Sequence, residues 1–212
     1  MDDALAQYVR DLFVSEDDHL RAIRQASLEL GFPQSHIHPE DGRMLQFLLG
    51  LVGACRVVEI GTLAGYSATW IARGLPEGGQ LVSVEREPDR ADLARRYLAE
   101  AGLADRVEVR IGEALSVLAD LSADGPFDAI FMDAGREIYP ACLDWALDNI
   151  RPGGLILAHN AFMRGRIVDP AEQSDRVIQY MQTFNHRIAE DPRLDGMIIP
   201  IGDGIAAARR IH

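Results

Sequence analysis

Cysteine is scarce in this chain, with only Cys55 and Cys142 in 212 residues. Both lie in apolar sequence, which reads as a pair of reduced core thiols in a cytoplasmic protein and not as a disulfide frame. Long apolar runs are missing. The longest, Phe47 to Cys55, carries two glycines and is far too short to cross a bilayer, so no membrane partner is expected. The acidic start, Met1-Asp2-Asp3, lacks the basic region that opens a secretory leader. Positive charge is also short. The 21 Lys and Arg stand against 33 Asp and Glu, for a formal net charge of −12. Binding a polyanion needs clustered cations, so this balance argues against nucleic acid and for a small-molecule partner. No repeat or low-complexity run divides the chain. Its length suits one domain, with helices over 1–54 leading into a core over 55–212.

What is present is alternation. Apolar runs of about five residues recur between helical patterns, the signature of a parallel α/β sheet. Strands are expected at Arg56–Ile60, Leu81–Glu85, Val107–Ile111, Phe127–Met132 and Leu155–Ala158. Ser15 with Asp18 resembles a capping box for a helix ending near Leu30 and Gly31. Further helices are expected to open at Pro39, Tyr66 and Pro88, with a long amphipathic one from Ser174 to Ala189. Near the end, Met197–Ile201 and Ile205–Arg209 flank Gly202-Asp203-Gly204, a hairpin signal that adds an antiparallel strand.

The most informative stretch is Val57-Val58-Glu59-Ile60-Gly61-Thr62-Leu63-Ala64-Gly65-Tyr66-Ser67, an apolar strand that turns on Gly61 and enters a helix after Gly65. Glycine at such a turn admits backbone close to a ligand. Glu85 closes the second strand, where an acid suits the two hydroxyls of a ribose. A dinucleotide turn would read G-x-G-x-x-G, but here Glu59 precedes a G-x-x-x-G. A carboxylate beside the turn repels a pyrophosphate and tolerates a sulfonium. The pattern therefore favours S-adenosylmethionine. A nicotinamide oxidoreductase and a cofactor-binding module without catalysis are the alternatives.

Ligands of an open parallel sheet lie beyond the carboxyl ends of its strands. Those ends carry Gly61, Glu85, Gly112-Glu113-Ala114, Asp133 and His159-Asn160. Any one of them suits a helix cap. The series reads as a site.

The chain here resembles the small cation-dependent O-methyltransferases of the catechol and caffeoyl-coenzyme A type. The likeness rests on Pro39-Glu40-Asp41-Gly42, Glu59 to Ser67, Gly74-Leu75-Pro76, Ala101 to Asp105, Gly112-Glu113-Ala114, Phe127 to Asp133, Arg151-Pro152-Gly153-Gly154 and Pro200 to Gly204. It implies a Rossmann-like sheet of seven strands, mostly parallel, and a homodimer. It also implies that Ile37, Glu59, Gly61, Leu63, Ser67, Glu85, Glu113, Ala114 and Asp133 bind the cofactor. Asp133 matches the family's metal-binding Asp, with a divalent ion, usually Mg²⁺, holding two neighbouring oxygens of a phenolic acceptor.

The departures fall at the chemistry. Where the family has Asp-Asn after the fifth strand, this chain has His159-Asn160, and where it has Asp-Ala-Asp-Lys, this chain has Asp133-Ala134-Gly135-Arg136. Arg136 stays protonated and cannot serve as the base a lysine could be, though it suits an anionic acceptor. His159 admits three readings. It is a ligand in an Asp133, His159, Asn160 set that favours softer ions, or a general base with a pKa near neutrality, or a structural residue. His36 and His38 read as exposed loop residues, Tyr66 and Trp70 as packing. Phe162 and Met163 read as an acceptor wall, and Arg164 and Arg166 as contacts to an anionic substrate or as solvated charges.

Overall fold

Hydrophobic strands flanked by helices bury both faces only if the helices divide between the two sides of the sheet. The computed structural model, which describes residues 3–32 and 36–212, has this arrangement. Met1 and Asp2, part of the acidic start, lie outside the described residues. The helices are α1 (Asp3–Phe13), α2 (Asp18–Glu29), α3 (Pro39–Leu51), α4 (Tyr66–Gly74), α5 (Pro88–Glu100), α6 (Ala114–Leu121), α7 (Tyr139–Asn149) and α8 (Arg176–Glu190). The strands are β1 (Arg56–Ile60), β2 (Gln80–Glu85), β3 (Val107–Ile111), β4 (Phe127–Met132), β5 (Ile150–His159), β6 (Leu194–Ile199) and β7 (Ile205–Arg210).

The seven strands form one sheet in the order β3-β2-β1-β4-β5-β7-β6. β7 alone runs antiparallel, between β5 and β6. The hairpin signal thus marks a real antiparallel pair, but the antiparallel strand lies inside the sheet and β6 forms the edge. Alternation along the strands feeds two cores. Val57 and Phe131 face Leu45, Leu49 and Ile71, on the side of α2 to α5. Val58, Ile130 and Met132 face Leu143, Met181 and Phe184, on the side of α6 to α8. Strand order reverses between β1 and β4, and that reversal opens a crevice at their carboxyl ends.

Several expectations change on contact with the structure. The cap of α2 is Asp17, whose carboxylate accepts from the Leu20 N–H at 3.0 Å, and not Ser15. β5 begins at Ile150, ahead of the expected start at Leu155, and runs through Pro152-Gly153-Gly154. Its pairing with β4 shifts register between Phe127 and Ala129, and Gly153 sits at φ +79°, so a bulge carries the strand past the proline. Cys142 is buried, which pushes its thiol up to about 12, but Cys55 is exposed just before β1. No helix among the described residues is long and apolar enough to cross a membrane.

Candidate active site

A cavity of about 370 Å³ lies at the strand reversal. Ile37, Gly61, Leu63, Ser67, Glu85, Glu113, Ala114 and Asp133 line one part of it, and Arg136 and Asn160 another. Tertiary structure thus brings together residues from five successive strand ends and from the segment before α3.

The turn after β1 is shaped by the protein's own backbone. Gly61 has φ +99°, and a Cβ there would come within 2.2 Å of the Asp133 carbonyl. Gly65, at φ +88°, packs against Ala94 of α5. These glycines therefore let β4 and α5 approach the turn. Glu85 is 6 % exposed and accepts from the Leu63 N–H at 2.8 Å and the Glu87 N–H at 2.9 Å. Each bond occupies one lone pair, so the carboxylate keeps acceptor capacity facing the cavity.

Glu59 does not line the cavity. It is wholly buried behind the turn, bonded to Ser83, whose hydroxyl also meets Thr62 at 2.5 Å. Burial raises its pKa to about 7, against the pull of the Ser67 and Ser83 hydroxyls. It is therefore half protonated near neutrality, and its field at the cavity is weaker than a full carboxylate's. His36, read as an exposed loop residue, instead lines the cavity 5.6 Å from the Tyr66 ring. Burial, with the nearby Arg24, lowers its pKa to about 4, so it is neutral at working pH. His38 is exposed as expected. Tyr66 and Trp70 are buried, and the Tyr66 hydroxyl donates to Glu16 at 2.8 Å.

At the other end, five side chains converge: Asp41, Asp133, Arg136, His159 and Asn160. His159 is 4 % exposed, with Nδ1 3.4 Å from Asp133 and Nε2 3.3 Å from the fully buried Asp41. Burial alone would lower its pKa, but Asp133 and then Asp41 outweigh burial and raise it to about 9. Arg136 donates through Nη2 to the Asn160 side-chain oxygen and through Nη1 to the Ala134 carbonyl. The same Nη2 lies 3.6 Å from Asp133, and the guanidinium stands 5.5 Å from the Tyr139 ring centroid. Asn160, in the left-handed region at φ +61°, donates to Asp203 at 2.9 Å. Asp41 and Asp203 were not singled out in the sequence as site residues, although both lie in stretches that carried the resemblance. Phe162, Met163, Arg164 and Arg166 lie off the cavity wall, and Arg166 is bonded to Glu172 and Asp175 at 2.7 and 2.6 Å.

The family model described as O-methyltransferase matches residues 11–211. The chain is 36 % identical to a catechol O-methyltransferase of Niastella koreensis, over 97 % of this chain and 96 % of that protein. Among solved structures, an O-methyltransferase from Bacillus cereus in complex with SAH superposes with a TM-score of 0.90 at 36 % identity, covering 98 % of this chain and 97 % of that one. The O-methyltransferase TomG from Streptomyces achromogenes, in complex with SAM, gives 0.91 at 34 % identity, covering 99 % and 96 %.

The chain belongs to the O-methyltransferase family.

For an O-methyltransferase of the cation-dependent kind, the donor set is unusual. Among the described residues no cluster of three or more His, Cys, Asp and Glu is arranged to hold a metal ion. The oxygen that Asn160 would offer an ion accepts from Arg136, and both nitrogens of His159 face carboxylates. A dication about 4 Å from a guanidinium would be repelled by on the order of 8 kcal/mol at an effective dielectric of about 20. The residues present do not fit a divalent ion. The carboxylates on either side of His159 favour its protonated form, and the geometry suits a positioning role in which the imidazole holds Asp133 and Asp41 in place. A lysine base is not available anywhere, because all 21 Lys and Arg of this chain are arginine.

Proposed function

We propose that this protein transfers the methyl group of S-adenosylmethionine to an oxygen of a small phenolic acceptor. The supporting observation is the cavity at the strand reversal, with Glu85 at the end of β2 and Asp133 at the end of β4 on its wall. Its volume falls within the range of small-molecule sites. The residues fit the cofactor. Glu85 would take the ribose hydroxyls, Ser67 the carboxylate, Leu63 the methionine and ribose part, and Glu113 and Ala114 the adenine, with Ile37 meeting the cofactor from the preceding loop. Bound there, S-adenosylmethionine supplies an electrophilic methyl group on a sulfonium. The acceptor oxygen, its proton released to water, forms the new O–C bond as the C–S bond breaks and leaves its electron pair on sulfur. The wall holds the reacting atoms in line, which is the main thing such an enzyme contributes.

Calorimetric titration with S-adenosylhomocysteine, followed by transfer of labelled methyl to a catechol, tests this reading. Absence of binding at millimolar concentration would overturn it.

The assembly we propose is a homodimer. Leu5, Tyr8, Leu12 and Phe13 of α1 and Phe47 and Leu51 of α3 are all more than half exposed. Apolar exposure on this scale suits a partner surface. A cytoplasmic setting accords with the two free cysteines.

A further inference from the structure

We propose that the guanidinium of Arg136 is the resident cation of the acceptor site, standing where a divalent ion would have to stand and holding two neighbouring acceptor oxygens itself. The proposal rests on the methyl-transfer reading above. The residue type alone says little, since this chain uses arginine at every Lys or Arg position. The contacts carry the argument. Arg136 draws in the two groups, Asp133 and Asn160, that the family resemblance assigns to an ion. Its side chain is 17 % exposed and lines the cavity, so it borders both the protein groups and any acceptor. Its Nε is buried without a hydrogen-bond partner among the described residues.

A guanidinium has five N–H donors in a rigid plane. In this structure one serves the Ala134 carbonyl and one Asn160. Each Nη keeps one further N–H, and this pair matches two adjacent oxygens, one of them anionic, in a forked pair of charge-assisted bonds. The acceptor class is therefore an ortho-oxygenated aromatic, bound as its monoanion. A nearby fixed cation favours ionisation of the acceptor hydroxyl, as a metal would, and water takes the proton. Asp133 keeps the guanidinium in place, and the His159 and Asp41 pair behind it holds Asp133.

The test uses the full chain with S-adenosylhomocysteine bound. Free Mn²⁺ is followed by electron paramagnetic resonance, and 4-nitrocatechol by the visible band of its phenolate. Wild type is expected to leave Mn²⁺ free at micromolar concentration, to turn over in a strong chelator, and to bind nitrocatechol as the anion below its solution pKa. Arg136→Ala is expected to weaken nitrocatechol at least about tenfold, the scale of a lost forked ion pair, and to abolish the anion band, with S-adenosylhomocysteine affinity within about twofold. Arg136→Lys keeps the charge but not the fork, and is expected to recover only part of the affinity. Stoichiometric Mn²⁺ binding to wild type, loss of turnover in chelator, or an unshifted nitrocatechol spectrum would each overturn the proposal while leaving methyl transfer intact. Failure of the wild type to bind S-adenosylhomocysteine would overturn the underlying reading as well.

Discussion

Glu85 and Glu59 are both acids at strand ends, yet burial gives them different work. Glu85 keeps lone pairs toward the cavity, so Glu85→Ala should weaken S-adenosylhomocysteine binding by about 1–3 kcal/mol, the scale of lost charge-assisted bonds. Calorimetry measures it, and unchanged affinity would remove its ribose role. Glu59 binds its proton more tightly in the folded state, with a pKa raised to about 7 by burial. The stability this proton contributes is complete below the unfolded value near 4.5 and is lost as pH rises through 7. Glu59→Gln, which cannot ionise, should therefore gain on wild type across that window, by on the order of 3 kcal/mol at its upper end. Urea unfolding at the two ends of the window is the measurement. A constant difference between the proteins would mean that Glu59 titrates normally. At this scale the sequence shows residue type and strand position, so Glu85 and Asp133 were legible. It does not show depth, which is why Glu59 was read as a ligand-facing charge and His36 as an exposed one.

Elements tell a similar story. Strands β1, β3 and β4 fall where alternating apolar residues place them, because a buried strand needs those residues and little else. Helix α1 escaped notice because much of its apolar side is left exposed. The cap of α2 moved by two residues for a chemical reason. Asp17 caps the helix and also pairs with Arg73 at 2.9 Å, a contact made across the fold. Asp17→Ala should cost about 1 kcal/mol or a little more, and Ser15→Ala close to nothing. Equal effects in thermal unfolding would return the cap to Ser15. Gly61 is the more severe case. Gly61→Ala meets both a left-handed φ and the Asp133 carbonyl at 2.2 Å, so it should destabilise by at least about 3 kcal/mol. If it were well tolerated and only cofactor affinity fell, the turn would be shaped for the ligand after all.

For the whole molecule, the open question of assembly lies on α1 and α3. A charged residue in the apolar face they share, such as Leu12→Glu with Phe47→Glu, should shift the protein from dimer to monomer in sedimentation velocity with its fold retained. A wild type that sediments as a monomer would overturn the homodimer proposal. The sequence by itself determined the class of the sheet, the strands that build it and the acids and glycines at their ends. These follow from local periodicity and turn chemistry, which act over a few residues. Only the tertiary structure decided that β7 lies inside the sheet, that Gly61 makes room for β4, and that Arg136 meets both Asp133 and Asn160 while His159 is fastened to Asp41, 118 positions away. Such pairings depend on how helices and strands pack in space, and the ionisation of a buried histidine depends on which charges that packing sets beside it.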